Sequence, residues 1–224
     1  MFIGHYAVGL ASKKWAPKAS LGTLVAAAIW LDLAWPLFLL LDMEHFRIVQ
    51  GITKMVPFDF YDYPLSHSLF MTLGWSGLLA LVYLYVTKDN RGAWIVGALV
   101  ASHWFLDLIV HRPDLPIWPV DVAGMPTVRV GLGLWNIPAL EVLLECALFA
   151  AGIFLYLRST KALDQTGSMA FWGFAAVLVV FYGANFFITP PNNPNLVSMM
   201  GFSQILFLAW AYWIDDHRKN IQAK

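Results

Sequence analysis

Residues 93–114 read AWIVGALVASHWFLDLIVHRPD, and the fold turns on how this stretch is understood. The run 93–110 contains no lysine or arginine and is built mainly of Ala, Val, Leu, Ile, Trp and Phe. That is close to the ~20 apolar residues that a helix needs to cross a bilayer. Yet His103, Asp107 and His111 recur every fourth residue, so on a helix they share one face, a turn apart. An ionisable group at the bilayer centre costs about 2.5–3.5 kcal/mol unless it finds a partner or water. Three of them in register call for a reason beyond packing.

The rest of the chain has the same character. Of its 224 residues, 59% are hydrophobic and 12% charged, against about half and about a quarter in an ordinary soluble domain. Lipid is therefore the expected solvent for much of the surface, and the 11 Trp and 8 Tyr suit interfacial aromatic belts. A formal net charge of zero gives no electrostatic case for a nucleic-acid partner. The single cysteine, Cys146, rules out an intrachain disulfide framework and a CxxC metal site. The opening MFIGHYAVGLASKK places its apolar part before its lysines, the reverse of a signal peptide, and is expected to stay in the mature protein. No repeat or long linker divides the chain, so residues 1–224 are expected to form one helical domain.

Six segments are long and apolar enough to be spans: 21–41, 65–86, 93–110, 137–157, 171–188 and 199–214, the last being the shortest. Lys13, Lys14 and Lys18 precede the first, Lys88 and Arg91 separate the second and third, and Arg158 and Lys161 separate the fourth and fifth. Arg218, Lys219 and Lys224 follow the sixth. The alternate loops are acidic-leaning (Asp42, Glu44, Asp59, Asp62), balanced (Arg112, Asp114, Asp121, Arg129) or uncharged. Basic loops mark the cytoplasmic side, so the expectation is an all-α, polytopic bundle of about six transmembrane helices with a cytoplasmic C-terminus. Residues 1–15 are too short to cross. They either lie flat as an amphipathic helix or enter the bundle, which would carry His5 inside.

At about 1.5 Å per helical residue, Asp32, His67, His103, Asp107 and His111 all fall in the middle-to-outer layer, as do Glu141 and Glu145 at the start of the fourth span. A divalent cation naturally holds neutral imidazoles beside carboxylates, and zinc commonly takes such a shell. A site open to one side would leave a position for water, which the ion makes nucleophilic near neutral pH. HxxxDxxxH on one straight helix spans about 12 Å, so its three residues cannot share one ion. Either neighbours bind and the third supports them, or two ions are present.

GHY near the start, Asp32, SHS at 66–68 and SHWFLDL at 102–108 resemble the bacterial membrane-bound metal-dependent hydrolase family, loosely grouped with zinc-dependent phospholipase C. The similarity continues through HRPDLPIWP at 111–119 and GLGLWN at 131–136 and fades over the last two spans. The resemblance implies an integral inner-membrane hydrolase, with His5, Asp32, His67, His103 and Asp107 as ligands of one or two metal ions. The chain departs from the family in carrying a single Asp32 where many relatives have a DxD run, and PLSHS where many have HRGxTHS. Those departures leave fewer ligands for a second ion.

Each residue also has a plainer role. His103 and Asp107 could be a hydrogen-bonded pair tying helices together, His111 an interfacial histidine, and Asp32 a partner of a nearby Ser or Trp. Serines flanking His67 could orient its ring, and Pro36 could free carbonyls near Asp32. Asp107 or Glu145 is the candidate general base, with Glu145 equally a helix-start carboxylate. Arg112 or Arg129 could grip a phosphate, although Arg–Asp pairing is commoner; His45 and His217 read as ordinary loop and tail residues. No GxSxG, GxxxxGK[ST] or HExxH is present. The leading expectation is a metal-assisted hydrolase acting on an ester or phosphoester of a lipid-like substrate, with membrane lipids around it. A transporter relaying protons or metal ions through the same residues is the main rival; a bis-histidine haem protein and a non-catalytic scaffold are the others.

Overall fold

The computed structural model describes residues 1–120, 126–188, 190, 191 and 193–221; Asp121 and Lys224 lie outside the described residues. The chain is mostly helical. In order the elements are α1 (Ile3–Ser12), α2 (Leu21–Ala28), α3 (Trp30–Leu40), β1 (His45–Ile48), β2 (Phe58–Asp62), α4 (Pro64–His67), α5 (Leu69–Thr87) and α6 (Asn90–Val110). There follow β3 (Leu115–Pro116), β4 (Arg129–Val130), a 3-10 turn at Leu134–Asn136, α7 (Pro138–Ser159), β5 (Thr160–Ala162), α8 (Gln165–Ala184), α9 (Pro194–Gly201), α10 (Gln204–Asp216) and β6 (Arg218–Asn220).

Five helical stretches are long and apolar enough to cross a membrane, and a sixth is counted if α2 and α3 are one broken span. Their outward faces are oily. α5 has a mean hydropathy of 1.8, yet only Thr72 within it is buried, while Phe70, Leu73, Leu81, Val82, Tyr85 and Val86 face outward. Apolar exposure on this scale has no place in water and marks a membrane protein.

Local chemistry explains where the helices begin. Ser20, Ser68 and Asp164 cap α2, α5 and α8 by accepting from the amides of Thr23, Met71 and Gly167. Proline opens α4, α7 and α9, where its missing N–H costs nothing.

Four elements differ from the sequence expectation, among them the fifth span, expected over 171–188 and running Gln165–Ala184. The expected span 21–41 is broken at Ile29, where α2 and α3 meet at 60°. The expected span 65–86 is interrupted at Ser68, whose extended backbone leaves His67 on the separate short helix α4. The last span is longer than expected, running Pro194–Asp216. Among the described residues there are also three two-stranded antiparallel ribbons, β1–β2, β3–β4 and β5–β6; the first two lie in the loops expected on the outer side.

α1 is buried within the protein, not laid on its surface: eight of its ten residues are inaccessible. It packs on α7 at Gly152, where an added Cβ would lie 2.5 Å from the Ala7 carbonyl oxygen and 2.8 Å from its Cα. Only a residue with no side chain permits that approach. Glu145, also on α7, accepts from the amides of Phe2 (2.6 Å) and Gly4 (2.5 Å), satisfying the free N–H groups of the first turn of α1. α1 thereby delivers His5 to the interior.

Candidate metal centre

Four separate helices bring ionisable side chains to one place. His5 comes from α1, Asp32 from α3, His67 from α4, His103 and Asp107 from α6, and His111 caps α6. Every one except Asp32 is buried, and His103 is wholly inaccessible. Asp107 is the hub. Its Oδ1 lies 3.1 Å from His5 Nε2 and 2.6 Å from the Met1 amino nitrogen. Its Oδ2 lies 3.2 Å from His103 Nε2, 3.8 Å from His67 Nε2 and 3.9 Å from His111 Nε2. Asp32 Oδ1 is 3.6 Å from His103 Nε2 and 3.8 Å from His67 Nε2. The His5 and His103 rings stack at 3.6 Å, nearly parallel.

Most of these nitrogen–oxygen separations are too long for hydrogen bonds. They match instead the edge of a coordination tetrahedron, about 3.4 Å for ligands at roughly 2.1 Å from zinc. Two overlapping triads, His5–His103–Asp107 and Asp32–His67–His103, each offer ligand atoms within 4.8 Å of one another. His103 Nε2 is also buried without a hydrogen-bond partner, which is costly unless something occupies its lone pair.

The opposite ring nitrogens of His103, His111 and His67 have partners, whereas His5 Nδ1 is buried without one. His103 Nδ1 donates to the carbonyl of Ala28 at 2.9 Å, so the break after α2 is what orients this imidazole. His111 Nδ1 lies 2.9 Å from Asp114 Oδ1, and His67 Nδ1 lies 2.7 Å from Ser66 Oγ. A proton held on Nδ1 leaves Nε2 free to bind an ion, the arrangement usual for metal-ligating histidines. Pro36 acts as expected: it has no N–H for the Asp32 carbonyl, and Gln204 Nε2 approaches that carbonyl at 3.5 Å instead.

A cavity of about 230 Å³ opens beside the cluster. Its lining combines the ionisable Asp32, His67, Asp107, His111, Glu141 and Glu145 with apolar residues that include Trp35, Met55, Val56, Phe58, Phe60 and Trp135. Residues 55–60 belong to the segment joining the first two expected spans, so the cavity lies at the end away from the lysine-rich loops. At that other end Lys13 pairs with the half-buried Asp215 at 3.0 Å. Buried Tyr6 and Leu10 lie between this pair and His5 along α1.

Not every expected residue is free for chemistry. Both oxygens of Glu145 are engaged by backbone amides, and Glu141 accepts from Tyr182 at 2.5 Å. Arg112 is held between Asp59 and Asp114, and Arg129 donates to the carbonyls of Phe60, Tyr61 and Asp114. His45 pairs with Asp62 and Asp42, and His217 with Asp164, outside the cavity. Sequence reading missed Glu44, which is 1% exposed although it lies in a loop read as surface. Asp114 does pair with Arg112 as expected, but it is buried, and its other oxygen holds His111. Glu44 is 22 residues from Ser66, too far for any local spacing to reveal.

No family model matches the chain, and comparisons with curated proteins and with solved structures gave no match.

Proposed function

We propose that this is a membrane-embedded, metal-dependent hydrolase acting on an ester or phosphoester of a lipid-like substrate. It would lie in the inner membrane of a bacterium with its C-terminus in the cytoplasm. The observation that carries the reading is the meeting of His5, Asp32, His67, His103 and Asp107 at tetrahedral-edge distances around an orphaned imidazole nitrogen. Those five residues would hold the ion, with zinc favoured by the nitrogen and oxygen donors; His103 has a single free lone pair, on Nε2, and would serve one ion only. When bound, the metal supplies Lewis acidity and lowers the pKa of water toward neutrality.

The chain's own residues do the rest. Asp107 Oδ2 faces the histidines and accepts the proton given up by the attacking water. Glu145 holds the first turn of α1 and so fixes His5. The apolar residues of the cavity lining would take the hydrocarbon end of an amphiphile. The family resemblance carried by GHY, SHS and SHWFLDL supports the same reaction class.

The rival transporter needs polar groups along the whole thickness. Tyr6 and Leu10 instead divide the cluster from the Lys13–Asp215 pair, which favours a one-sided cavity. The close-packed imidazoles leave no gap for a haem ring between His5 and His103. The test is hydrolysis of ester and phosphoester amphiphiles in mixed micelles, run beside metal-ion and proton flux into liposomes. Metal-dependent turnover without flux is expected; flux without turnover would replace this reading with the transporter.

A further inference from the structure

Glu44 is a buried carboxylate with no part in the chemistry above. It is placed by the end of α3: Asp42 adopts a left-handed conformation (φ 58°), and the amides of Met43 and Glu44 both turn back to the Phe38 carbonyl. From there Glu44 reaches the turn that carries His67. Its Oε1 accepts from the amides of Leu65 and Ser66, both at 2.7 Å, and its Oε2 accepts from the Ser66 hydroxyl at 2.7 Å. The same hydroxyl oxygen lies 2.7 Å from His67 Nδ1.

A serine hydroxyl has one hydrogen. An ionised carboxylate only accepts, so Ser66 must spend that hydrogen on Glu44. Its oxygen can then meet His67 Nδ1 only as an acceptor, which requires the ring proton to be on Nδ1. We propose that Glu44 is a positioning residue: acting through Ser66, it fixes the proton of His67 on Nδ1 and keeps Nε2 unprotonated, aimed at Asp32 and Asp107. The consequence for metal affinity rests on the hydrolase reading; the placement of the proton does not.

Glu44→Gln separates this role from simple packing. The amide is the same shape, and its oxygen can still accept from Leu65 and Ser66. Its NH2 group, however, now faces Ser66 Oγ as a donor. Ser66 then turns its hydrogen toward His67 Nδ1, and the ring proton moves to Nε2, where it blocks the lone pair.

The experiment is 15N NMR of the metal-free, full-length protein in detergent with labelled histidine, His67 being assigned by its loss in His67→Gln. The expected result is an Nδ1–H tautomer in the parent protein and an Nε2–H tautomer in Glu44→Gln. An unchanged tautomer in a folded Glu44→Gln protein overturns the proposal. If that variant does not fold, Ser66→Ala serves: it removes the link while leaving the Glu44 backbone contacts, and mixed tautomers are expected, against a retained Nδ1–H that would overturn the proposal. In zinc titrations, Glu44→Gln should weaken binding by about 10–100-fold, the range for partners that orient metal ligands. Absence of zinc binding in the parent protein would count against the hydrolase reading and leave the tautomer result to decide the role of Glu44.

Discussion

Gly152→Ala tests how α1, and with it His5, is held. The new Cβ would lie 2.5, 2.8 and 3.0 Å from the carbonyl oxygen, Cα and carbonyl carbon of Ala7. All three are backbone atoms and cannot rotate away. Restoring ordinary contact near 3.5 Å requires α1 and α7 to part by about 0.5–1 Å. Overpacking of this kind costs about 1–3 kcal/mol, and the better helix propensity of alanine offsets at most about 1 kcal/mol. Clashes this short with backbone atoms belong at about 2–3 kcal/mol in that range, so the net loss of about 1–2 kcal/mol should lower the melting temperature by about 2–8 °C for a chain of this length. The functional effect should be larger than the thermal one, because His5 sits half a turn from Ala7. Moving it lengthens the 3.1 Å contact to Asp107 and opens the 3.6 Å stack on His103. The control is Gly74→Ala in the middle of α5, where nothing lies within 4 Å of the new Cβ. Thermal melting and zinc titration of both variants in detergent are the assays. If Gly152→Ala melts with the control and binds zinc like the parent protein, α1 is not seated against α7 as described.

Three further outcomes are expected. Bound metal should be lost as pH falls from about 8 to about 5, because protons displace the ion from unprotonated imidazoles; metal content measured after equilibration across that range checks it, and flat retention would contradict it. His45 is held above its ordinary value near 6.5, chiefly by its hydrogen bond to Asp62 and also by Asp42. The raised value means that its stabilisation is complete below about pH 6.5 and lost as pH rises through the folded-state pKa. An NMR titration should show the His45 midpoint fall toward 6.5 in Asp62→Asn; an unmoved midpoint refutes the pairing. Arg112→Ala should destabilise by about 1–2 kcal/mol, a value discounted for partial exposure: it strips the buried Asp114 of its arginine, while Asp59 keeps Arg47. Urea or thermal melts would read that loss, and parental stability would show the pairing to be incidental.

Much of the site was legible because lipid-facing sequence makes polar residues conspicuous. His103 and Asp107 stand out in an apolar run; Asp32 and His5 could be set at matching depth by counting residues from the lysines, and His67 by counting from the outer end of its span. The break after Ala28 was not legible: AAAIWLD has neither glycine nor proline, and Pro36, the visible breaker, lies inside α3. Yet that break supplies the carbonyl that orients His103. The role of Glu145 was open for a different reason. A carboxylate at a helix start reads the same whether it serves chemistry or another helix, and only the position of α1 shows it accepting from Phe2 and Gly4. Glu44 and Asp114 belong to the same class of long-range partners, invisible to spacing because the pairing is made across the fold.

The central claim, that these side chains gather around a cation, is tested most directly by elemental analysis of the purified full-length protein and of His103→Ala. His103 belongs to both triads, so its loss should empty either site. Near-stoichiometric divalent metal is expected in the parent protein, and its loss in the variant. Trace metal in the parent, or the same content in both, would contradict it.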